Sequence, residues 1–577
     1  MKKIILKAGY FIYLFCAVLG CLMFISCLLV AYINIKDKKI SIPEHSALVI
    51  DFSQKFPETK SDSMLAEVLE EENMSLYDLI MAIDMASIDN RIDGLVAYID
   101  TTTLDISQIQ DISRAIKRFH KKTYVFSQGF GPLGQGNKEY YLASFFDEIY
   151  MQPQTSLGLN GISIEVPFAK NLLEKIGVDT EFYTRYEYKT AMSSFTDNKM
   201  SKAYKDELSS LANSLMNEIK TDITSNRKLN EDIETIINKA PIFAEEAKEL
   251  NLIDDILYLP QLEDKLKEEN GIKNFVNIND YSMQLRPNKG NLPTIAILNI
   301  DGIIDTGESF SELDGEIIVG SKSVLKDIQD ISQLDNLKAL LVRINSPGGS
   351  YHAADEIYFA LKKLKHDKNI PIIISQSSYA ASGGYFISLA GDYIIAEPTT
   401  ITGSIGVLGG KFIFENLWKK LNISWENIKT NTNSDILSPN KRFSAQEAKI
   451  FNASLDNIYK DFTDKVKQNR PLKQPIDKIA RGRVWTGRQA LELGLIDALG
   501  GINDALSKTI NKQPTEPISI VSYPKALTFS ERISKLLSDN NIFTKKILSK
   551  SNVDIRHLKL FKRMQYDTVL PLFNINM

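Results

Sequence analysis

Two glycine-rich stretches bracket a serine. Asn345-Ser346-Pro347-Gly348-Gly349-Ser350 follows a strand-like apolar run and precedes a helix-like one, and Ala380-Ala381-Ser382-Gly383-Gly384-Tyr385 does the same one strand later. Backbone N–H groups at a turn and at a helix start have no intrahelical acceptor, so they can point at an anion. Glycines there remove the side chains that would block close approach. Small neighbours leave the Ser382 hydroxyl accessible. Together these parts suit nucleophilic attack on a carbonyl: a hydroxyl, and two donors for the oxygen that becomes negative. The spacing assigns the donors to the N–H groups of Gly349 and Gly383, with Gly348 as the alternative to Gly349.

A serine hydroxyl is a weak nucleophile until a base removes its proton. Of the five histidines, His45, His120, His366 and His557 lie outside the glycine motifs. His352 follows Gly349 on a helix-like stretch; a Ser-His-Asp arrangement through it is the alternative, and a surface or cap role suits it better. A different base emerges from an internal duplication. Tyr140, Asp147, Ile149, Pro153, Thr155, Gly158, Gly161, Asn171, Leu172 and Lys175 recur 245 positions later as Tyr385, Asp392, Ile394, Pro398, Thr400, Gly403, Gly406, Asn416, Leu417 and Lys420. In that register Ser382 faces Asn137, and Lys189 faces Ser434. Each copy keeps one half of a pair, which predicts one composite site built from a serine of the second copy and Lys189 of the first. To accept a proton the lysine must be neutral, so burial must lower a pKa that starts at about 10.4. Ser404, in Thr402-Gly403-Ser404-Ile405-Gly406, either holds the lysine amine in line or is an ordinary turn hydroxyl; the sequence leaves both open.

The elements that must position these residues are legible as alternating strand and helix patterns. Ala47-Leu-Val-Ile-Asp-Phe52 opens one copy and Ile297-Leu-Asn-Ile-Asp301 the other. Each continues through a helix-like stretch to a second strand, Gly94–Ile99 or Ala339–Ile344, and a third, Tyr124–Phe126 or Ile372–Ile374. That order favours a mostly parallel sheet flanked by helices, an α/β fold. At 577 residues the chain is too long for one core. The expected layout is a segment 1–34, a first repeat over 45–270 carrying the lysine, a linker over 271–293, a second repeat over 294–512 carrying the serine, and a basic tail over 513–577.

Residues 9–34 form an apolar run without charge, preceded by Lys2, Lys3 and Lys7, and long enough to cross a bilayer of about 30 Å as a helix. It is longer than the apolar core of a cleavable signal peptide and lacks a clear cleavage site, so an uncleaved membrane anchor is expected. Lysines on both flanks leave its orientation open. From 525 to 567 ten Lys or Arg stand against four Asp or Glu with apolar residues interleaved, the pattern of a solvated or partner-packed helical extension, with a membrane-touching segment as the alternative. A formal net charge of −4 argues against general nucleic-acid binding. All three cysteines, Cys16, Cys21 and Cys27, lie in the apolar run. No metal-ligand cluster and no cofactor motif stands out, and Gly406-Val-Leu-Gly-Gly410-Lys411 has the wrong spacing for a phosphate loop.

Asn345–Ser350, Ala381-Ser-Gly-Gly-Tyr385, Thr402–Gly406, Val484-Trp-Thr-Gly487 and Tyr188-Lys-Thr-Ala191 resemble, in combination, the long, duplicated form of the signal peptide peptidase A (protease IV) family, from the apolar run to about residue 510. The resemblance implies two tandem ClpP/crotonase-like domains behind one transmembrane helix, and a Ser-Lys dyad serine peptidase. Ser382 would be the nucleophile, Lys189 the general base, and Ser404 the residue that orients the lysine. It further implies a homotetramer anchored in the bacterial inner membrane with its bulk on the periplasmic side, acting on cleaved signal peptides and other apolar extended peptides. Thr190 departs from the family, which often has serine beside the lysine. Two other classes are a crotonase-type acyl-CoA enzyme and a non-catalytic membrane scaffold.

Overall fold

The computed structural model describes residues 41–59, 74–132, 134–285, 292–311, 316–510 and 518–525, with isolated positions at 19, 20, 23, 575 and 576. Apart from those isolated positions, the expected anchor over 9–34 lies outside the described residues, as does nearly all of the basic tail. Among the described residues no helix is long and apolar enough to cross a membrane.

Each repeat builds the same six-stranded parallel sheet. In the first the order is Asn274–Asn277, Ser46–Asp51, Ile92–Tyr98, Lys122–Ser127, Glu148–Met151, Asp255–Ile256. In the second it is Ser519–Tyr523, Thr294–Asp301, Leu337–Ser346, Ile372–Ala381, Tyr393–Ala396, Ala498–Leu499. The two edge strands Asn274–Asn277 and Ser519–Tyr523 fall in the stretches read as linker and tail, and they too are related by the 245-residue shift. Both are short and half-polar, so periodicity alone did not mark them; pairing with the buried strand beside each gives them their place.

The central strands are apolar on both faces because both faces are covered. In Thr294–Asp301, Ala296, Leu298 and Ile300 enter the core of the second repeat, whereas Ile295 and Ile297 join a core dominated by the first. One face of the second sheet thus packs on the first-repeat helix Ile106–Arg118 and on the helix Ile502–Thr509, and the two copies share a hydrophobic interior. Charge is buried there as well. Arg343 reaches Glu58 at 3.0 Å and Asp111 at 2.9 Å, and donates to Ser375 and Ser377.

The second sheet has one addition that matters for chemistry. The far end of Ile372–Ala381 pairs with Ile401–Gly403, which in turn takes Val484–Thr486 antiparallel. A separate antiparallel ribbon joins Asp179–Thr184 of the first repeat to Leu408–Ile413 of the second.

Candidate active site

Ser382 ends the strand Ile372–Ala381 and caps the short helix Gly383–Ser388. Its backbone lies at φ 52, ψ −115, a conformation that costs a non-glycine residue about 1–3 kcal/mol. Two bonds hold it there: Ser382 N–H donates to Gly403 O at 2.9 Å, and Phe386 N–H donates to Ser382 O at 2.8 Å. The sharp strand-to-helix turn brings the side chain to the wall of a cleft.

The loop after Leu337–Ser346 lies directly against this turn. A Cβ on Gly348 would fall 2.7 Å from Ser382 Cβ, and one on Gly349, at φ 145, only 1.9 Å from Ile304 O. Only residues without side chains at 348 and 349 permit this approach, and Gly349 and Gly383 line the cleft beside Ser382. Asn345 ties the loop to the serine strand: its Nδ2 donates to Asp301 and its Oδ1 accepts from Tyr379 N–H.

Lys189 arrives from the other repeat. The ribbon between Asp179–Thr184 and Leu408–Ile413 carries the chain across, and Arg185 N–H donating to Val407 O and Tyr188 N–H donating to Arg481 O continue the attachment. The lysine stem then passes between two glycines. A Cβ on Gly482, at φ 87, would sit 2.6 Å from Lys189 Cβ, and one on Gly406 would sit 3.3 Å from Lys189 Cδ. The amine ends 3.1 Å from Ser382 Oγ and 2.9 Å from Ser404 Oγ. Lys189 is only 5% exposed, and burial lowers its pKa to about 8, against the opposing pull of the Glu207 carboxylate. Ser404 is itself held, its N–H donating to Arg483 O at 2.8 Å and its hydroxyl to Gly482 O at 3.4 Å.

The structure therefore brings together Ser382, Lys189, Ser404, Gly349 and Gly383, with Gly348 packed beneath the serine. The counterparts are elsewhere. Asn137 exchanges two hydrogen bonds with Gly161, and Ser434 is exposed and bonded to Asn431 O. His352 lines the cleft, but the base within bonding distance of Ser382 is the lysine. The other cleft walls are apolar: Phe386, Leu408, Leu455, Ile458 and Phe462. Sequence reasoning missed Glu207, a buried carboxylate on the helix Lys202–Asn226 that accepts from Val484 N–H at 2.8 Å and from the Thr190 hydroxyl. One acid among many on a long helix carries no local signal. Gly482 was also missed, although Arg481-Gly482-Arg483 just before Val484 was a visible turn.

Comparison with known proteins shows the family. The profile of "Peptidase family S49" matches residues 134–273 and 364–513. "Protease 4" of Haemophilus influenzae is 30% identical over 518 residues, 83% of this chain and 82% of its own. "Protease 4" of Salmonella typhi is 31% identical over 455 residues, 75% of this chain and 71% of its own. "Serine protease SPPA, chloroplastic" of Arabidopsis thaliana is 30% identical over 450 residues, 75% of this chain, which spans 65% of that relative's length. Among solved structures, a point mutant of ClpP1 from Listeria monocytogenes aligns with 36% of this chain and 94% of its own at 16% identity and a TM-score of 0.24, too weak a likeness to assign the fold. The chain belongs to peptidase family S49 and is a serine peptidase.

Proposed function

We propose that the chain is a membrane-anchored endopeptidase that works through a Ser382–Lys189 dyad on apolar, extended peptides, cleaved signal peptides among them. The observation that carries this reading is the buried lysine amine of one repeat 3.1 Å from the serine hydroxyl of the other. Neutral Lys189 takes the Ser382 proton as Oγ bonds to the peptide carbonyl carbon, and the N–H groups of Gly349 and Gly383 receive the oxygen that becomes negative. Lys189 then returns the proton to the leaving nitrogen as the C–N bond breaks. Water, deprotonated by the same amine, attacks the ester and frees Ser382. Ser404 keeps the amine aimed through both halves. The apolar cleft walls favour apolar side chains in the substrate, the uncharged run over 9–34 supports a membrane anchor, and the family resemblance supports the bacterial inner membrane with the catalytic bulk on the periplasmic side.

The duplication also supports a ring of copies, consistent with a homotetramer of ClpP/crotonase-like repeats. Within the chain, residues 179–184 pair with 408–413; the 245-residue shift maps this junction onto 424–429 and 163–168. Residues 424–429 form no strand and are exposed, with Trp425 at 60% and Ile428 at 99%. A head-to-tail neighbour offering its 163–168 edge would complete them, and such contacts generate a ring where the rotation between neighbours closes. In the single chain Ile575–Asn576 lies on Ser163–Ile164, a contact the neighbour would replace.

Fluorophosphonate labelling of the full-length protein in detergent, alongside cleavage of an apolar peptide, tests the dyad. Ser382→Ala is expected to abolish both, Lys189→Ala to slow both by at least about 100-fold, and Asn137→Ala to change little. Labelling that survives Lys189→Ala unchanged would sink the dyad, and damage from Asn137→Ala equal to that from Ser382→Ala would place chemistry in the first repeat.

A further inference from the structure

We infer that Glu207 is a positioning residue for the dyad, a carboxylate that fastens the loop of the base to the loop of Ser404 and places a negative charge near the buried Lys189 amine. This rests on Lys189 acting as the base. Glu207 is 3% exposed and belongs to the first repeat. It accepts from the hydroxyl of Thr190, the residue after Lys189, and from Val484 N–H of the second repeat. Val484 follows Arg483, whose carbonyl accepts from Ser404 N–H, and Gly482, whose missing side chain makes room for the lysine stem. One carboxylate therefore bridges both walls of the slot in which the amine sits.

Docking of the helix Lys202–Asn226 does not by itself explain a buried acid there. The same helix already holds the second repeat through Ser210 to Gln489, Ser214 to Thr486, and Glu218 to Arg488. Those contacts touch neither the lysine loop nor Ser404. The charged and titratable groups facing Glu207 are Lys189, Arg483 and, one turn back on its own helix, Tyr204. The Arg483 guanidinium is stacked between the rings of Tyr188 and Trp485 rather than paired with the carboxylate. Burial pushes the Glu207 carboxyl up to about 7, so it is largely ionised in the range where Lys189 loses its proton. An anion there stabilises the ammonium form; its removal lets the amine become neutral at lower pH.

The test compares wild type, Glu207→Gln and Glu207→Ala as full-length protein, following the pH dependence of Ser382 labelling by a fluorophosphonate and of kcat/KM on an apolar peptide. Glutamine keeps an acceptor for Val484 and loses the charge. Its acidic limb is expected to move to lower pH by about half a pH unit or more, with a plateau well above that of the alanine variant. Alanine loses both bonds, and its plateau is expected to fall by about 10-fold or more at every pH, as misplacement of a catalytic group does. Lys189-dependent labelling with an unmoved limb in Glu207→Gln overturns the role of the charge. Equal plateaus in the glutamine and alanine variants overturn the fastening role. Labelling that does not depend on Lys189 overturns the dyad and this inference together.

Discussion

Lys189 must be buried to be a base, and burial has a consequence for stability. The fall from 10.5 to about 8 corresponds to about 3 kcal/mol. Below pH 8 both folded and unfolded chains hold the proton, and the folded state carries the whole cost of a buried ammonium. Between about 8 and 10.5 the folded amine is neutral while the unfolded one is charged, so stability rises with pH across that window. Lys189→Met is therefore expected to raise the free energy of unfolding at pH 7 by up to about 3 kcal/mol, with the gain fading as pH approaches 10.5; urea titrations at pH 7 and 10 measure it. Activity should show the same group. In wild type, kcat/KM should rise about tenfold per pH unit below pH 8 and level off above it.

Among elements, the decisive one is the interface between repeats, because it fixes Lys189 against Ser382 across 193 residues of chain. The Arg343 cluster lies beneath the strands that lead to the two glycine loops. Glu58 and Asp111 come from the first repeat, Arg343 from the strand ending at Ser346, and Ser375 and Ser377 from the strand ending beside Ser382. Burial pushes the Asp111 carboxyl up, and the neighbouring guanidinium of Arg343 opposes it. Arg343→Met leaves two buried carboxylates without their cation and is expected to cost about 3–5 kcal/mol, read from the shift in urea midpoint; Glu58→Gln in the same background should recover part of it. The strand pattern foretold the two glycine loops well, since apolar runs bounded by glycine are strong local signals. The cluster was not foretold, because nothing local pairs residue 58 with residue 343.

For the whole molecule, the exposed stretch 424–429, which has no strand partner, is the feature a single chain leaves unexplained. Ring closure through 163–168 of a neighbour predicts that full-length protein in detergent runs as a closed oligomer by size-exclusion chromatography with light scattering. Trp425→Ser with Ile428→Asp should convert it to monomer, since each large apolar side chain buried contributes about 1.5–3 kcal/mol. Ser382 labelling should persist in that monomer, because both dyad residues lie in one chain. An oligomer unaffected by the double substitution would put the interface elsewhere.

The residues themselves determined a duplicated α/β chain, a serine set among oxyanion-type glycines, and a lysine missing from one copy where the other keeps it. Those inferences needed only motif chemistry and a constant shift of 245 positions, both of which survive in a linear string. Tertiary structure alone decided that Gly406 and Gly482 form the slot for the lysine stem, that Glu207 bonds to Thr190 and Val484 beside it, and that Arg343 draws carboxylates from the other repeat. Such contacts join residues hundreds of positions apart through packing of two sheets, and the energy that selects them arises only when water has been excluded from between the copies.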